Sequence, residues 1–490
     1  MGKKGLRRIT VAGIAGLMGV GILVVAVGTT ASTALAEAGG VDQTPVMGWS
    51  SWSFLRMGIG TAEIEAEAKA LVTTGLAAAG YRYVSIDDNW YECPGPQGPN
   101  VDQYGRWVIN GSEFPSVGAE NGMQVVSQYV HGLGLKFGVY ETPGIPEQAV
   151  KENTPILGTP YTADEIATTT AQNNYNCGGM TGINYGANGA QAYVDSVVNE
   201  LASWGVDYIK LDGITNSNIP DIKAWSAGIK QSGRPMVLNI TQGSYTVKIA
   251  PELQAFANQW EFAPDIEING PDEGSADACN APPFTGCLSV FPLTSFSHWK
   301  DRFNDVAKWQ PYGGPGGFND YDSIEVGDGT ANGGMSLAAE QSQLSLWALG
   351  SAPLILGSDL TSGVTNAYGT SSALDPTDLS MLTNRDVIEV DQDAIDASRI
   401  YDVGHAQIFA KTEPSGDGIV GLFDTSSNLA AANDTISTTP SAIGVAPASD
   451  GYAVKNLWTG QVSFLGPTAS ITANVPSEGV SLYRVIPLGI

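Results

Sequence analysis

Acidic and aromatic side chains stand where the predicted parallel strands of this chain end. They are Trp49, Trp52, Asp87, Asp88, Trp90, Tyr140, Glu141, Lys210, Asp212, Trp260, Asp265, Asp320 and Asp322. The ends of parallel strands converge on one face of a barrel. Carboxylates accept hydrogen bonds from hydroxyl groups and tryptophan covers the C–H face of a sugar ring, whereas a phosphate site would need glycine-rich amides and more basic residues. The pattern therefore predicts a sugar pocket.

Two carboxyl groups about 5 Å apart are what a retaining glycosidase requires, one to attack the anomeric carbon and one to protonate the leaving oxygen. Five aspartates compete for these two roles at this point: Asp87, Asp88, Asp212, Asp265 and Asp322. Composition alone does not choose among them.

Metal and cofactor chemistry is not expected. The three histidines, His131, His298 and His405, lie far in sequence from any cluster with ligand spacing, which argues against a catalytic metal and against a serine–histidine triad. The four cysteines fit no zinc pattern and allow three disulfide pairings in an oxidising compartment: Cys93, Cys177, Cys279 and Cys287. The chemistry is expected to rest on carboxylates, with no cofactor.

The elements that would position these residues alternate between short apolar runs and longer amphipathic ones, which predicts a (β/α)8 barrel over residues 41–397. The eight predicted strands are Pro45–Trp52, Tyr81–Trp90, Lys136–Thr142, Asp207–Gly213, Pro235–Gln242, Gln259–Glu267, Pro315–Tyr321 and Ala352–Leu360. The helices predicted between them include Ala62–Ala79, Met123–Leu133, Ala190–Trp204 and Leu337–Leu349.

Residues 398–490 have no helical period. Turn residues separate strands predicted at Gln407–Lys411, Gly418–Phe423, Val454–Leu457 and Val480–Val485, which indicates an antiparallel β-sandwich. A packing domain that caps the barrel is favoured over a carbohydrate-binding module, because no dense cluster of aromatic residues stands out.

The N-terminus, residues 1–36, reads as a secretion signal with a basic start, an apolar stretch Ile9–Val27 and a small-residue end, so the protein is expected outside the cell. A membrane anchor is the alternative, and the export route stays open. The full chain has a net charge of −27, and loss of the four basic residues of the signal would make it −31. Such acidity excludes nucleic acid and anionic membrane surfaces as partners, suits a neutral or cationic ligand, and says nothing of oligomeric state.

Six motifs in order resemble the strand motifs of glycoside hydrolase family 27, in clan D. They are Met47-Gly48-Trp49, Ile86 through Trp90, Lys136 through Tyr140, Lys210 through Gly213, Trp260 through Ile266, and Gly314 through Asp320. The likeness continues through Val390-Asp391-Gln392-Asp393 to Asn456 through Gly460 in the tail. The family is known for α-galactosidases, and it implies retention of anomeric configuration without a metal.

The resemblance implies residue roles. Asp212 takes the nucleophile position and Asp265 the acid/base position. Asp87 and Asp88 match the pair on the O4 and O6 side of the sugar; Tyr140, Lys210, Trp260 and Asp322 match positions in the pocket; and Trp49 matches its apolar floor. Lys210 lies two residues before Asp212 on one face of a strand, where its charge would keep Asp212 ionised. The charge of Asp212 would in turn raise the pKa of Asp265.

The chain departs from the family at the C2 and C3 side of the sugar. Glu261 follows the strand-6 tryptophan where relatives have arginine, and Thr241 stands where α-galactosidases have glutamate. Thr241 with Ser244 is similar to the small pair of the N-acetylgalactosaminidase branch. Ile214 replaces the usual cysteine after the nucleophile, so Cys177 must pair elsewhere or stay free.

The resemblance therefore predicts an exo-acting α-galactosidase. The alternatives are the same machinery on an α-N-acetylgalactosaminide, a β-L-arabinopyranoside or an isomalto-oligosaccharide, as in an isomalto-dextranase. A catalytically weak carbohydrate-binding protein, with a pocket altered by Glu261, is the alternative from another class.

Overall fold

A computed structural model describes residues 40–489, except for residues 96, 268–292, 328–333, 362–373 and 431–432. The predicted signal at residues 1–36 and the two cysteines Cys279 and Cys287 lie outside the described residues. Within them, no helix is both long enough and apolar enough to cross a membrane.

Among the described residues, eleven strands precede the C-terminal sheets. They are β1 Met47–Ser50, β2 Tyr83–Ile86, β3 Lys136–Glu141, β4 Ile145–Pro146, β5 Ala167–Gln172, β6 Met180–Ile183, β7 Tyr208–Thr215, β8 Val237–Ser244, β9 Gln259–Glu261, β10 Phe318–Asp320 and β11 Leu354–Leu356. Eight of them form one parallel sheet in the order β10-β9-β8-β7-β3-β2-β1-β11. A parallel bridge between Ile324 and Leu356 joins the segment after β10 to β11 and closes the barrel. The predicted (β/α)8 barrel is confirmed.

The helices are α1 Trp52–Leu55, α2 Thr61–Thr73, α3 Leu76–Ala79, α4 Gly122–Gly132, α5 Glu147–Glu152, α6 Ala163–Ile166, α7 Ala190–Trp204, α8 Ile219–Ser232, α9 Ala250–Phe256, α10 Phe296–Trp299, α11 Arg302–Trp309, α12 Leu337–Leu349, α13 Pro376–Leu382 and α14 Arg385–Gln392. Short 3-10 turns cover Val247–Ile249 and Gln310–Tyr312. The predicted bounds of α7 and α12 are confirmed. The predicted helix Ala62–Ala79 is wrong as one element, because Gly75 at φ +90 interrupts it.

Local sequence explains where these helices begin and end. Asn121 and Gln124 exchange side-chain and backbone hydrogen bonds at the start of α4, forming a capping box. Helices α7 and α8 end at Gly205 and Gly233, both in the left-handed region that glycine adopts without strain. The sequence therefore indicates, by a glycine, where each of these two helices ends and the chain returns to the sheet.

A long excursion separates β3 from β7 on the face where the strands end. Strands β4, β5 and β6 form a three-stranded antiparallel sheet within it. A disulfide joins Cys93, in the loop after β2, to Cys177, in the turn before β6. The disulfide thus ties the loop after β2 to the excursion after β3.

The C-terminal strands are β12 Ser398–Val403, β13 Ala406–Thr412, β14 Gly418–Asp424, β15 Asp434–Thr438, β16 Tyr452–Asn456, β17 Val462–Leu465, β18 Ile471–Val475 and β19 Val480–Pro487. They form a six-stranded antiparallel sheet, β12-β13-β14-β19-β16-β17, and a two-stranded one, β15-β18. Apolar residues such as Ile408, Val420, Ile436 and Val475 fill the core between them. The predicted β-sandwich is confirmed, with four strands that the sequence analysis missed: β12, β15, β17 and β18.

Candidate active site

A cavity of about 470 Å³, part of it open to solvent, lies inside the barrel and toward the ends of its strands. Trp49, Lys210, Thr241, Glu261 and Asp322 line it, which brings five of the predicted site residues together.

Asp212 is held by three donors near the end of β7. Its Oδ1 accepts hydrogen bonds from the Thr241 hydroxyl at 2.8 Å and the Gly213 N–H at 2.6 Å, and its Oδ2 accepts from the Tyr140 hydroxyl at 3.0 Å. Burial raises the pKa of Asp212, while the charge of Lys210 and the Thr241 hydrogen bond oppose that rise. The effect of burial on the pKa of Asp212 is larger than the opposing effect of the Lys210 charge.

Lys210 pairs with Asp87 rather than with Asp212. Its Nζ lies 2.7 Å from Asp87 Oδ2. Burial lowers the pKa of Lys210, but the charges of Asp87, Asp212, Glu261 and Asp265 outweigh that effect and hold it well above its ordinary value. A fixed positive charge therefore stands beside the nucleophile position.

Asp88 is buried and already engaged by the protein. Its carboxylate accepts hydrogen bonds from the Asn89 N–H at 2.7 Å, from the Tyr91 hydroxyl at 2.6 Å and from the Asn176 side chain. Burial raises its pKa to about 6, against those hydrogen bonds. Asp88 thus fixes the loops around the pocket and leaves little acceptor capacity for a sugar.

Asp265 is exposed, four residues beyond the end of β9. Desolvation by the surrounding protein, then the charges of Glu267 and Asp212, raise its pKa to about 6. The charges of Lys210 and Arg56 lower it. A carboxyl group of this kind can exchange a proton near neutral pH.

Glu261 gathers with Asp265 and Asp322, one carboxylate oxygen from each lying within 4.8 Å of the others. Glu261 is buried and its Oε1 has no hydrogen-bond partner. Burial, then the charges of Asp322, Asp265 and Asp320, raise its pKa well above its usual range. These three carboxyl groups could ligate a cation or form hydrogen bonds with the hydroxyl groups of a sugar.

Asp322 has a φ of +77, a strained conformation for a residue other than glycine. Its Oδ2 accepts the Ile266 N–H at 2.7 Å and lies 3.8 Å from the Arg302 guanidinium. Burial and the charge of Asp265 raise its pKa to about 6. Arg302, which the sequence analysis missed, braces the pocket from helix α11.

Trp49 and Trp260, both predicted to lie in the pocket, differ in their position relative to the cavity. Trp49 lines the cavity, fully buried, with its indole donating to the Ser358 carbonyl at 2.9 Å. Trp260 lies on the opposite face of β9 from Gln259 and Glu261, and its indole donates to Asn319 Oδ1 at 2.8 Å. The structure places Trp260 outside the cavity, since neighbouring residues of a strand point to opposite faces.

The Thr241 hydroxyl donates a hydrogen bond to Asp212 Oδ1, so this side chain lies beside Asp212. Ser244 ends β8, but its side chain lies outside the described part of the structure. The loop Asn173–Cys177, which carries no periodic signal in the sequence, contacts the residue after Asp212 through an Asn173 hydrogen bond to the Gly213 carbonyl at 3.0 Å.

Comparison with known proteins gives the same assignment for both halves of the chain. A family model described as alpha galactosidase A matches residues 44–174 and 292–393, and one described as the alpha galactosidase C-terminal beta sandwich domain matches residues 403–485. A probable alpha-galactosidase of Dictyostelium discoideum is 31% identical over 93% of this chain and 97% of its own length. The alpha-galactosidase of Cyamopsis tetragonoloba is 28% identical over 92% and 88%.

Among solved structures, a β-L-arabinopyranosidase of Geobacillus stearothermophilus aligns with a TM-score of 0.75 and 26% identity, covering 91% of this chain and 97% of that one. A closed (β/α)8 barrel with carboxylates at its strand ends and a C-terminal sandwich defines a class of glycosidases. Within that class, the chain belongs to glycoside hydrolase family 27.

Proposed function

We propose that this glycosidase is a retaining exo-enzyme that releases terminal α-linked galactose from oligosaccharides or glycoconjugates. Asp212 attacks the anomeric carbon while Asp265 donates a proton to the leaving oxygen. Asp265 then takes a proton from a water molecule, which attacks the same carbon and frees Asp212. The observation that carries the proposal is the contrast between Asp212, fixed by three donors, and Asp265, exposed with its pKa near 6.

The electrostatics fit these roles. Burial would favour a protonated Asp212, and the Lys210 charge with the Thr241 and Tyr140 hydroxyls favours the ionised form that attacks. When Asp212 is consumed as an ester its charge disappears, which lowers the pKa of Asp265 and turns it into a base for the second step.

The stereochemistry of the first product tests the mechanism. Proton NMR of a freshly hydrolysed nitrophenyl α-galactoside should show the α-anomer before mutarotation. Asp212→Ala should abolish turnover, and azide should restore part of it by forming the β-glycosyl azide, while Asp434→Ala, at an exposed position of β15, serves as the mutagenesis control. First release of the β-anomer would contradict retention.

A β-L-arabinopyranoside is the second candidate substrate. β-L-Arabinopyranose has the ring of α-galactose without the C6 hydroxymethyl group, and Asp88, matched to that side of the sugar, already accepts three hydrogen bonds from the protein. The similar Geobacillus enzyme is named for that sugar. The ratio of kcat/KM for the two nitrophenyl glycosides decides between the candidates, with nitrophenyl α-N-acetylgalactosaminide and α-glucoside completing the panel.

We also infer that residues 1–36 direct secretion. The Cys93–Cys177 disulfide supports an oxidising destination. Expression in a secreting host should yield extracellular protein whose N-terminal sequence begins at Glu37. Retention of the full chain in the cell membrane would favour an anchor instead.

A further inference from the structure

The loop Asn173–Cys177 is fastened to the active site at several points. Asn173 donates to the Gly213 carbonyl at 3.0 Å, and Asn176 donates to Asp88. Cys177 closes the loop through its disulfide with Cys93. Both ends of this five-residue segment are therefore held against residues of the pocket.

The approach to the nucleophile strand is close. Gly213 has a φ of +74, and a Cβ added there would lie 2.7 Å from Asn173 Cβ. Only glycine admits the loop at this distance. The loop backbone thus packs against the residue directly after Asp212.

Tyr175 is the residue in this loop that faces outward. Asn174 and Asn176 on either side of it are buried, whereas Tyr175 is 44% exposed. Burial, then the charges of Asp212, Asp265 and Glu261, raise the pKa of its phenol, which places the ring within electrostatic reach of both catalytic positions. Tyr175 therefore stands, partly exposed, on the loop that packs against Gly213, the residue after Asp212.

The ring of Tyr175 makes few contacts that would stabilise the fold. Among the described residues, no aromatic ring packs against Tyr175 and its hydroxyl has no hydrogen-bond partner. Tyr91, by contrast, is fully buried, packs on Trp107 and donates to Asp88. A large exposed ring on a fastened loop beside a reaction centre is suited to contact a ligand.

We propose that Tyr175 forms the subsite for the leaving group, stacking on the apolar face of a second sugar ring while its hydroxyl bonds that ring. The proposal rests on the proposed function, because it places the sugar that is cleaved between Asp212 and Asp265. It assigns the preferred substrates to a class: glycosides whose leaving group is itself a pyranose or an aromatic ring, rather than a small group.

The test compares leaving groups on one sugar, taken as whichever sugar the wild-type enzyme hydrolyses fastest. The glycosyl fluoride has a leaving group too small to touch Tyr175, and the matching disaccharide has a hexose there. Tyr175→Ala should lower kcat/KM for the disaccharide about three- to tenfold, chiefly through KM, and leave the fluoride unchanged, because stacking on an aromatic ring contributes modestly. Tyr175→Phe should retain most of the disaccharide activity.

Tyr401→Ala is the matched control, since Tyr401 is also 44% exposed but lies in the β-sandwich. A Cys93→Ser/Cys177→Ser double variant, which releases the loop, should show the same selective loss as Tyr175→Ala. An unchanged disaccharide-to-fluoride ratio in Tyr175→Ala, or an equal change in Tyr401→Ala, would overturn the subsite. Failure of the proposed function would give a different result. The wild-type enzyme would then hydrolyse neither the glycosyl fluoride nor the disaccharide, whichever sugar is tested.

Discussion

Two lysines lie among carboxylates in this molecule: Lys210, partly buried in the pocket, and Lys411, buried where the sandwich meets the barrel. Surrounding charges hold the pKa of Lys210 well above its ordinary value against the effect of burial. Burial lowers the pKa of Lys411 despite the opposing charge of Asp393. The pKa values of the two lysines are therefore shifted in opposite directions, although carboxylates lie near both.

The partners explain the difference. Lys411 Nζ donates to the carbonyls of Val390 at 2.6 Å and Ile395 at 2.8 Å, and to Asp393 at 2.8 Å. Most of its contacts are neutral, and its side chain is 1% exposed. Lys210 has carboxylates around it and its side chain is 22% exposed, so water and ligand reach it. Lys411 holds strand β13 against the segment from Val390 to Ile395, whereas Lys210 lines the cavity, where we propose that its charge favours the ionised form of Asp212.

The largest expected effects separate the two lysines. Lys210→Met should lower kcat/KM by about a hundredfold or more, because it leaves the buried Asp87 carboxylate without its partner, a loss of about 3–5 kcal/mol, and removes a positive charge beside Asp212. Lys411→Met should instead lower the free energy of unfolding by about 3–5 kcal/mol, with kcat per folded molecule retained. Urea unfolding and steady-state kinetics on both variants measure the contrast.

Lys455→Ala is the control for removing a lysine. Lys455 pairs with Asp386 at the surface, both partly exposed, and such pairs contribute about 0–1 kcal/mol. If Lys210→Met and Lys411→Met lose stability equally and keep activity equally, the comparison fails.

The pH dependence of activity should follow Asp265. In the proposed mechanism this carboxyl group carries a proton when the leaving group departs, so kcat/KM should fall as pH rises through about 6. Glu267 raises the pKa of Asp265, so Glu267→Gln should move the falling limb to lower pH. Rate profiles from about pH 4 to 8 show the shift. The exposed Glu389→Gln should leave the profile in place, and a Glu267→Gln profile that also stays in place would contradict the coupling.

Stability should depend on pH at the Lys411 region. Burial raises the pKa of Asp396 to about 7, above an unfolded value of about 3.9. The stability from keeping Asp396 protonated is therefore fully present below about pH 4 and is lost as pH rises through about 7. Asp396→Asn should flatten this part of the unfolding curve and stabilise the protein at neutral pH. Asp402→Asn, at an exposed site, should not, and a wild-type slope in Asp396→Asn would contradict the assignment.

The smallest expected effect is that of metal ions. Glu261, Asp265 and Asp322 could ligate a cation, but two carboxyl groups suffice for the reaction. Chelator, or added calcium or manganese, should change kcat/KM by less than about twofold. Activity that disappears with chelator and returns with one specific ion would make the pocket a metal site.

The fold was predictable to a large extent from the sequence. Buried parallel strands are short apolar runs, and α7 and α12 are long and flanked by clear end signals, so their bounds could be read directly. Strand β17 was not predicted because it is an edge strand. Its apolar residues Val462 and Phe464 are exposed, so its sequence does not show the alternation of a half-buried strand. The break at Gly75 was visible as a glycine, but its left-handed turn depends on how α3 packs.

The site was predictable in part. Motifs placed Asp212, Lys210 and Glu261 near one another, whereas the period of two along β9 already implied that Trp260 and Glu261 cannot both face the pocket. The bond from Thr241 to Asp212 joins two strands and has no local signal. A glutamate at position 241 would place a like charge beside Asp212. Tyr175 was not identified from the sequence because its position depends on a disulfide and on contacts between residues distant in sequence.

The central claim, that Asp212 is the nucleophile, can be tested by trapping the covalent intermediate. A 5-fluoro glycosyl fluoride of the accepted sugar should inactivate the enzyme and leave one sugar attached to the protein. Cleavage after Lys210 and Lys223 releases the peptide Leu211–Lys223, in which fragmentation distinguishes Asp212 from Asp221. The label is predicted on Asp212, and a label on Asp265 or any other carboxylate would contradict the account.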